Sequence, residues 1–365
     1  MAASGKALSF AGQQIYVGLD VHYKSWRVNI YSEKLFLKSF SQPPEVEALR
    51  VHLESNYPGA TFNCVYEAGF SGFWIARRFK ELGFNCIIVH PADIPKTGKE
   101  RTNKTDDVDS KSLALQLRSG TLKANWEPDD ELEADRNLLR CRKRCSRDGA
   151  RVKNRIHALL KINGVSVPDD IVTKHWSRKF VRWLEAIEFR NGSTRCTLDH
   201  MLADLKHLRA SEASMIKDLR MRGRAERYRE TIELLSTIPG ISWLSAITLV
   251  FEIGDIKRFP RVEDLCSFVG LVPGEHSSGE SVRRGSITPR RNTILRQLLV
   301  ESSWTAASHD PELTRYFNTK CRRMKPSKAI ISVAQRLLKR IRSVWLNRKP
   351  FVVELNPSTL ESDPT

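Results

Sequence analysis

The chain has 365 residues, of which 41% are hydrophobic and 28% charged, a composition ordinary for a globular protein of two or three domains. Its 60 Lys and Arg residues against 42 Asp and Glu residues give a net charge of +18, which indicates a polyanionic partner such as nucleic acid. No apolar run is long enough to span a bilayer, and residues 1–14 have no signal-peptide core, so we expect a cytoplasmic protein without a membrane partner.

The positive charge is concentrated in two parts of the chain. Residues 1–100 are almost neutral, whereas residues 136–190 contain 15 Lys and Arg against 5 Asp and Glu. Residues 281–350 contain 17 against 3. The seven cysteines are scattered, and none has the spacing of a zinc site.

The first hundred residues predict an α/β domain. Residues 15–31 read as a β-hairpin, because an apolar run ending at Asp20 is followed by the β-patterned run Trp26–Tyr31. A strand, a helix, a strand, a helix and a strand follow at 34–41, 44–57, 62–66, 72–82 and 86–89. The second of these three strands, 62–66, leads directly into Glu67.

Four acidic residues stand at the ends of these predicted elements. Asp20 and Glu67 follow strands, and Asp106 and Asp109 lie on one face of the first turn of a helix. That helix follows the basic loop 96–104, and its predicted apolar face consists of Val108, Leu113, Leu115 and Leu117. A single acid in such a place more often caps a strand or complements a helix dipole. Four together require a cation, and carboxylate oxygens suit Mg²⁺ or Mn²⁺.

Residues 130–165 predict a long helix rich in arginine, including Arg140, Arg144, Arg151 and Arg155. This face is either solvated or a contact for nucleic-acid phosphates, and its charge density favours phosphates. A second helical region, 174–222, breaks near 191–193 and would form a helical hairpin, an interdomain spacer or a subunit contact. The turn 238–241 between two apolar helices has the form of a helix-hairpin-helix, in which Gly240 would present backbone N–H groups to a phosphate. The alternative is a plain tight turn.

Serine and arginine residues cluster near the start of the second basic region. Ser277, Ser278, Gly279 and Ser281 form a predicted polar loop, which is followed by Arg283, Arg284, Arg290 and Arg291. Loop serines usually have no chemical role, but a serine beside a glycine and an arginine cluster is a candidate nucleophile for phosphorus. A basic amphipathic helix is predicted at 325–349, and residues 356–365 are predicted to be disordered.

Taken in order, the motifs resemble those of the insertion-sequence 110 transposases and the related Piv-type site-specific invertases. The motifs that carry the resemblance are LDVH, YEAG, NKTDDVD, IPGI, GLVPGEHSSG and RRGSITPRRN. The resemblance implies a RuvC-like, ribonuclease-H-type domain at 14–130 and a helical coiled-coil region at 131–228. It also implies a mainly helical transposase domain at 229–348, with a helix-hairpin-helix, and a tail at 349–365.

The resemblance also assigns roles to residues. It places the metal-binding acidic set on Asp20, Glu67, Asp106 and Asp109, with Asp107 as an intervening residue, and the catalytic serine on Ser278, with Ser277 as the alternative. The chain departs from the family at Pro289-Arg290-Arg291-Asn292, where a Lys-Arg-Gly-Asn type of sequence is common. The resemblance further implies a structured noncoding guide RNA that pairs with donor and target DNA. Because two remote parts of the chain would contribute to one site, we also expect a homo-oligomer, either a dimer or a tetramer.

We therefore expect a DNA recombinase that forms a covalent phosphoserine link and holds Mg²⁺ with its acids. One alternative is a metal-dependent RuvC-like nuclease or junction resolvase, in which water is the nucleophile. The other is a non-enzymatic nucleic-acid scaffold.

Overall fold

The computed structural model describes the chain in five stretches, at residues 9–95, 106–169, 176–278, 281–287 and 291–353. For Asp106 and for the described residues between 273 and 287, the structure describes the backbone but not the side chains. The predicted basic loop 96–104 and the predicted disordered tail 356–365 lie outside this description. The chain divides into two compact units, Met1–Glu127 and Pro128–Thr365. The finer division at residues 228 and 348 stays a prediction.

Unit 1 contains a mixed five-stranded sheet in the order β3-β2-β1-β4-β5. Strand β2 is antiparallel to β1 and β3, whereas β4 is parallel to both β1 and β5. The strands are β1 Gln14–Val21, β2 Trp26–Ser32, β3 Phe36–Gln42, β4 Thr61–Glu67 and β5 Asn85–Val89. The helices are α1 Val46–Asn56, α2 Trp74–Glu81 and α3 Asp106–Arg118. The predicted α/β domain is confirmed.

Helices cover the two faces of this sheet differently. Alternate β1 residues Ile15, Val17 and Leu19 are fully buried and share a core with apolar residues of α1 and α2. On the other face, α3 contributes Leu113 to a smaller cluster with Val65 of β4. The sheet therefore has α1 and α2 on one side and α3 on the other.

Helix α3 lies unusually close to strand β1. A Cβ atom added to Gly18 would lie 2.0 Å from the carbonyl oxygen of Ser110 and 2.6 Å from the backbone nitrogen of Ala114. The buried face of α3 accordingly differs from the predicted one. It includes the fully buried Ser110 and Ala114, while Leu115 is only partly buried. Small side chains face the strand because the two backbones leave no room for larger ones.

Unit 2 is mostly helical. Its helices are α4 Asp130–Ile162, α5 Arg178–Ala186, α6 Gly192–Gly223, α7 Glu226–Ser236, α8 Trp243–Ile253, α9 Val262–Val269, α10 Thr293–His309, α11 Pro311–Cys321 and α12 Pro326–Asn347. A β-hairpin of β6 Pro273–Ser278 and β7 Ser281–Ile287 separates α9 from α10. Within the described residues, no helix combines the length and apolarity needed to cross a bilayer.

The two long helices α4 and α6 form an antiparallel pair. Arg142 of α4 pairs with Glu212 of α6 at 2.7 Å, and the thiol of Cys145 donates to the carbonyl of Leu208 at 3.3 Å. Farther along α4, Ile156 and Leu160 share a core with apolar residues of α5 and α6. The predicted helical region 174–222 thus packs against the arginine-rich helix, and its interruption lies at 187–191.

The predicted basic helix near the C-terminus is a core element of unit 2. One face of α12 is buried, and it consists of Ala329, Ile330, Val333, Ala334, Leu337, Leu338, Ile341, Val344 and Trp345. Its cations therefore occupy the remaining face, as expected for an amphipathic helix.

Replacing Gly18 with Ala should destabilise unit 1, because helix α3 must move away from β1. We expect the free energy of unfolding to fall by roughly 3 kcal/mol, a large value for overpacking. Hydrogen exchange of the β1 amides measures this change. The control is Gly149→Ala in α4, where an added Cβ meets nothing within 4 Å. This control should stabilise α4 by about 0.5–1 kcal/mol. If hydrogen exchange of the β1 amides in Gly18→Ala is the same as in the wild-type protein, the close contact between α3 and β1 is contradicted.

Candidate active site

The first two predicted acids lie at the same edge of the sheet. Strands β1 and β4 are parallel neighbours, and Leu19 is in register with Tyr66. Asp20 and Glu67 each follow these residues by one position, so they share a row at the carboxyl ends of the strands. Asp20 lies within β1, one residue before its end, because the antiparallel pairing with β2 continues to Val21.

The register also places both acids on the face that α3 covers. Side chains alternate along a strand, so Asp20 shares a face with Gly18, and Glu67 shares one with Val65. Gly18 contacts the backbone of α3, and Val65 packs against Leu113 of α3. The acids therefore project from the helix-covered face rather than into the larger core.

Helix α3 brings the third acid to this edge. The carbonyl oxygen of Ser110 lies against Gly18, which is two residues before Asp20 in β1. Asp109 is the residue directly before Ser110. Asp106 begins α3, and its side chain lies outside the description. Among the described side chains, no group of three or more His, Cys, Asp and Glu residues has the geometry to hold a metal ion. The register thus sets Asp20 and Glu67 side by side, and the contact of Ser110 with Gly18 sets the start of α3 against the same strand, without an assembled ligand cluster in the described part.

Hydrogen bonds fix the surroundings of Asp20 and Glu67. The imidazole Nε2 of His22 lies 3.2 Å from a carboxylate oxygen of Asp20. After Glu67, the N–H of Ala68 donates to the carbonyl of Val89, and the hydroxyl of Tyr66 donates to the carbonyl of Gly72 at 2.9 Å. Burial raises the pKa of Tyr66, so this hydroxyl stays protonated and can donate. The chain beyond Glu67 is thereby tied to the sheet.

Asp107, interpreted from the sequence as an intervening residue, has a structural role. Its carboxylate accepts hydrogen bonds from Arg27 Nε at 2.9 Å, Asn29 Nδ2 at 3.2 Å and Ser39 Oγ at 2.9 Å. Asn29 is buried and also donates to Ser110 Oγ at 2.8 Å. These bonds attach the first turn of α3 to β2 and β3. The Arg27 guanidinium, followed by Asn29 and Ser39, lowers the pKa of Asp107.

The predicted arginine face on α4 is present. Arg144, Arg147, Arg151 and Arg155 are exposed, and their spacing of three or four residues puts them on one side of the helix. We call these four residues the arginine stripe. It extends over about 16 Å at 1.5 Å per residue. Arg151 also pairs with Asp148 at 3.0 Å, within the same helix.

Arg140 continues the same side of α4 but is committed to a partner within the chain. Its Nε and Nη2 atoms each donate to the carboxylate of Glu252 at 2.8 Å. Burial would raise the pKa of Glu252, but the hydrogen bonds and charge of Arg140, with Asn292, outweigh burial and lower it. Arg140 thus has a structural contact, and its predicted contact with nucleic acid stays a prediction.

The glycine of the predicted helix-hairpin-helix is required by packing. Gly240 has a φ of +86°, and a Cβ added there would lie 2.6 Å from the carbonyl of Ser302 in α10. The N–H of Ile241 donates to the carbonyl of Ile238 at 3.0 Å, which closes the turn. Beside it lies an open groove of about 510 Å³, lined by Thr237, Ser242, Ser245, Glu301, Ser302 and Thr305 among others. Phosphate binding by Gly240 stays a prediction.

Ser277, Ser278 and Ser281 lie in the strands of a β-hairpin, so the predicted polar loop is wrong for these three residues. Ser278 ends β6 and pairs with Ser281, and Arg283 and Arg284 of β7 pair with His276 and Glu275. Backbone pairing makes this structure, and polar side chains do not reveal it. Gly279 and Arg290 lie outside the described residues, while Arg291 is exposed just before α10. Ser278 belongs to unit 2 and the acids to unit 1.

Two family models match the chain in order. One, for the DEDD transposases of the IS110 type, matches residues 17–163, and the other, for the Transposase IS116/IS110/IS902 family, matches residues 232–318. The first range includes Asp20, Glu67, Asp106 and Asp109, and the second includes Ser278.

Individual relatives are also similar to this chain. The y4qE protein of Sinorhizobium fredii is 32% identical over 240 residues, which are 66% of this chain and 57% of that protein. The transposase for insertion sequence element IS1533 of Leptospira borgpetersenii is 27% identical, over 67% of this chain and 71% of that protein. The transposase for IS1111A of Coxiella burnetii is 24% identical, over 66% and 64% respectively. The match therefore spans little more than half of the Sinorhizobium protein.

Replacing Asp107 with Asn should weaken the attachment of α3 to the sheet. The lowered pKa of Asp107 means that its stabilisation is complete above the unfolded pKa of about 3.9 and is lost as the pH falls through the lower folded value. Because the carboxylate is half exposed, we expect a loss of about 1 kcal/mol at pH 7. The difference from wild type should shrink below about pH 4.

Hydrogen exchange of the α3 amides between pH 3 and pH 7 measures this difference. The control is Glu54→Gln, which removes the exposed Arg50–Glu54 pair within α1 and should change stability by less than about 0.5 kcal/mol. A difference that grows as the pH falls would contradict the role assigned to Asp107.

Proposed function

The chain belongs to the IS110 family of transposases, and we propose that it cuts and rejoins DNA by means of a serine nucleophile and an acidic metal site. The observation that carries the proposal is the register of β1 and β4. It sets Asp20 and Glu67 side by side, on the face where α3 brings Asp109. Donor and target DNA are the proposed substrates, in the bacterial cytoplasm and at the nucleoid.

The proposed fold of unit 1 is ribonuclease-H-like, of the RuvC type. The sheet order β3-β2-β1-β4-β5, with β2 alone antiparallel to its neighbours, supports this proposal. So does the location of the acids at the carboxyl ends of parallel strands, where α/β sheets hold their ligands.

A divalent ion fits the chemistry of these acids. Asp20, Glu67, Asp106 and Asp109 offer carboxylate oxygens, which Mg²⁺ and Mn²⁺ prefer over nitrogen or sulfur ligands. When bound, such an ion supplies charge that offsets the negative charge of a scissile phosphate. The role we propose for Asp107 is structural, because Arg27, Asn29 and Ser39 all donate to its Oδ1 atom. It holds the first turn of α3, and with it Asp109, in place.

The proposed bond exchange conserves the phosphodiester. Ser278 Oγ gives up its proton and bonds to phosphorus, and the bond from phosphorus to a deoxyribose oxygen breaks, with that oxygen leaving as a hydroxyl. A hydroxyl of the strand to be joined then attacks the phosphoserine and releases Ser278. Arg283 and Arg284, in the strand that follows the serine, are proposed to stabilise the charge on the phosphate oxygens. Ser277 is the alternative nucleophile.

Nucleic acid is the proposed partner of the basic surfaces. The exposed arginine stripe on α4 and the exposed Arg291 supply cations for phosphates. The proposed ligands include a structured noncoding guide RNA as well as DNA. We further propose a dimer or tetramer, since Ser278 and the acids come from different units and the reaction joins two duplexes.

The use of a serine nucleophile distinguishes the proposed function from two alternative functions. A RuvC-like nuclease or junction resolvase would use the acids with water as the nucleophile, and a scaffold would need neither acids nor serine. The long antiparallel helices α4 and α6 and the basic stripe would serve all three. The test must therefore follow the covalent bond to the protein.

Ser278→Ala should abolish a protein-linked DNA product. Wild-type protein, incubated with labelled donor and target DNA, Mg²⁺ and the RNA encoded beside its gene, should give a labelled band of protein size on a denaturing gel. The control is Ser277→Ala in the same strand, which should retain the band. If Ser278→Ala keeps the labelled band and Ser277→Ala loses it, Ser277 is the nucleophile. Cutting by both variants without any covalent band would favour the nuclease.

Replacing Arg144 and Arg155 with Gln should weaken nucleic-acid binding through lost phosphate contacts. The slope of log K against log salt should become shallower by about 2, since each neutralised phosphate contributes about 0.9 for duplex DNA. Fluorescence anisotropy with labelled DNA between 50 and 200 mM salt, roughly the range over which such contacts change affinity most, measures it. The control, Arg50→Gln on α1, should leave the slope unchanged. If the slope of log K against log salt is the same in the wild-type protein, in the double variant and in Arg50→Gln, the arginine stripe does not contact phosphates.

A further inference from the structure

A buried carboxylate connects three helices of unit 2. Glu252, at the end of α8, is 1% exposed. It accepts two hydrogen bonds from Arg140 of α4 and one from Asn292 Nδ2, each at 2.8 Å. Arg136, one turn earlier in α4, donates to the backbone carbonyl of Glu252 at 3.2 Å. The end of α8 is therefore held by both the side chain and the main chain of this residue.

Asn292 is the residue at which the serine-bearing segment ends. Its Oδ1 accepts from the N–H groups of Ile294 and Leu295 at 3.0 and 3.1 Å, which caps α10. Its own N–H donates to the carbonyl of Phe268 at 3.1 Å. With the bond to Glu252, every polar group of the Asn292 side chain and its N–H has a described partner in the protein.

The other end of the segment is also attached to the helical core. Leu271 is fully buried, its carbonyl accepts from Gln335 Nε2 of α12 at 2.7 Å, and its N–H donates to the carbonyl of Cys266 at 2.9 Å. Strands β6 and β7 lie between these two attachments. The described residues that flank the hairpin on its two sides, Leu271 and Asn292, are thus both attached to the helical core.

The chemistry of the attachment at Asn292 is unusual for a purely structural contact. Only the Glu252 side of the pair is buried, while Arg140 is 44% exposed. The cost of removing the Glu252 carboxylate from water offsets much of its attraction to Arg140, so stability alone gives little reason for the pair. Directional, charge-assisted hydrogen bonds fix geometry better than apolar contacts do. Arg140 also belongs to the helix that carries the arginine stripe.

We propose that Glu252 is a positioning residue, which holds Asn292, and through it the serine-bearing hairpin, in a fixed place relative to the arginine stripe. This inference rests on the proposed function of Ser278. Through the hydrogen bonds of Arg140, Glu252 and Asn292, nucleic acid bound to the arginine stripe would keep a fixed position relative to Ser278. Glu252 itself contacts neither the nucleic acid nor the reacting phosphate.

Glu252→Gln tests the proposal with little change in shape. Oε1 of Glu252 accepts from Arg140 Nε, and Oε2 accepts from both Arg140 Nη2 and Asn292 Nδ2. The glutamine NH₂ group would therefore face at least one of these three donors instead of an oxygen. We expect the single-turnover rate of the Ser278-dependent protein–DNA band to fall about 100-fold, as for a small misplacement of a reacting group. DNA affinity should stay within about twofold, because the stripe is intact. Hydrogen exchange should become faster at the amides of β6 and β7, with the amides of α4 unchanged.

Asn292→Ser is a second variant that separates positioning from folding. Serine is as good a helix cap as asparagine, so α10 keeps its first turn, but the shorter side chain does not reach Glu252. The Arg140–Glu252 pair remains intact. The same fall in rate and the same faster exchange of the hairpin are expected. Wild-type rates and exchange in both variants would overturn the proposal.

Asp310→Asn is the matched control. Asp310 is equally buried, pairs with Arg340 at 2.6 Å and caps α11, but it lies beyond the opposite end of α10. It should lower stability and leave the rate per folded molecule and the exchange of the hairpin unchanged. An equal loss of rate in Asp310→Asn would overturn the proposal, because the loss would follow any broken buried pair. If wild-type protein forms no covalent band, the proposed function fails, and hairpin exchange alone decides the role of Glu252.

Discussion

At Gly18 the backbone of helix α3 lies directly on strand β1, and the geometry of the acidic edge depends on this contact. An atom the size of a methyl group at that position would meet Ser110 and Ala114 of the helix. Because α3 lies so close, the residue before Ser110, Asp109, is carried to the strand edge where Asp20 and Glu67 already stand. The hydrogen bonds of Asp107 to β2 and β3 then prevent the first turn of the helix from rotating.

In unit 2 the positive charge serves two purposes, which composition alone does not separate. Arg136, which is buried, and Arg140, which is partly exposed, hold the end of α8 through Glu252. Arg144 and Arg155, farther along the same helix, are exposed. The helix is therefore anchored at its start and presents cations beyond the anchor.

The sequence predicted the strands and helices of unit 1 well, because the runs 26–31 and 62–66 are rich in aromatic and β-branched residues, with the polar ones of 26–31 at intervals of two. It did not reveal the role of Gly18, since a glycine inside a strand has the same pattern whether it borders a helix or solvent. Nor did it reveal the role of Asp107, whose partners are about 70 to 80 residues away in the chain. Such contacts exist only once the sheet has formed. The pairing of α4 with α6 and the hairpin of the serine-bearing segment were missed for a similar reason, since both depend on partners that local patterns do not specify.

The central claim is that Asp20, Glu67 and the acids of α3 hold a divalent ion, and Mn²⁺ binding to the full chain tests it most directly. Electron paramagnetic resonance of free Mn²⁺ during titration reports binding without any DNA reaction. The account predicts saturable binding in the wild-type protein, retained in Glu54→Gln and lost in Asp20→Asn. Equal Mn²⁺ binding by the wild-type protein and Asp20→Asn would contradict it.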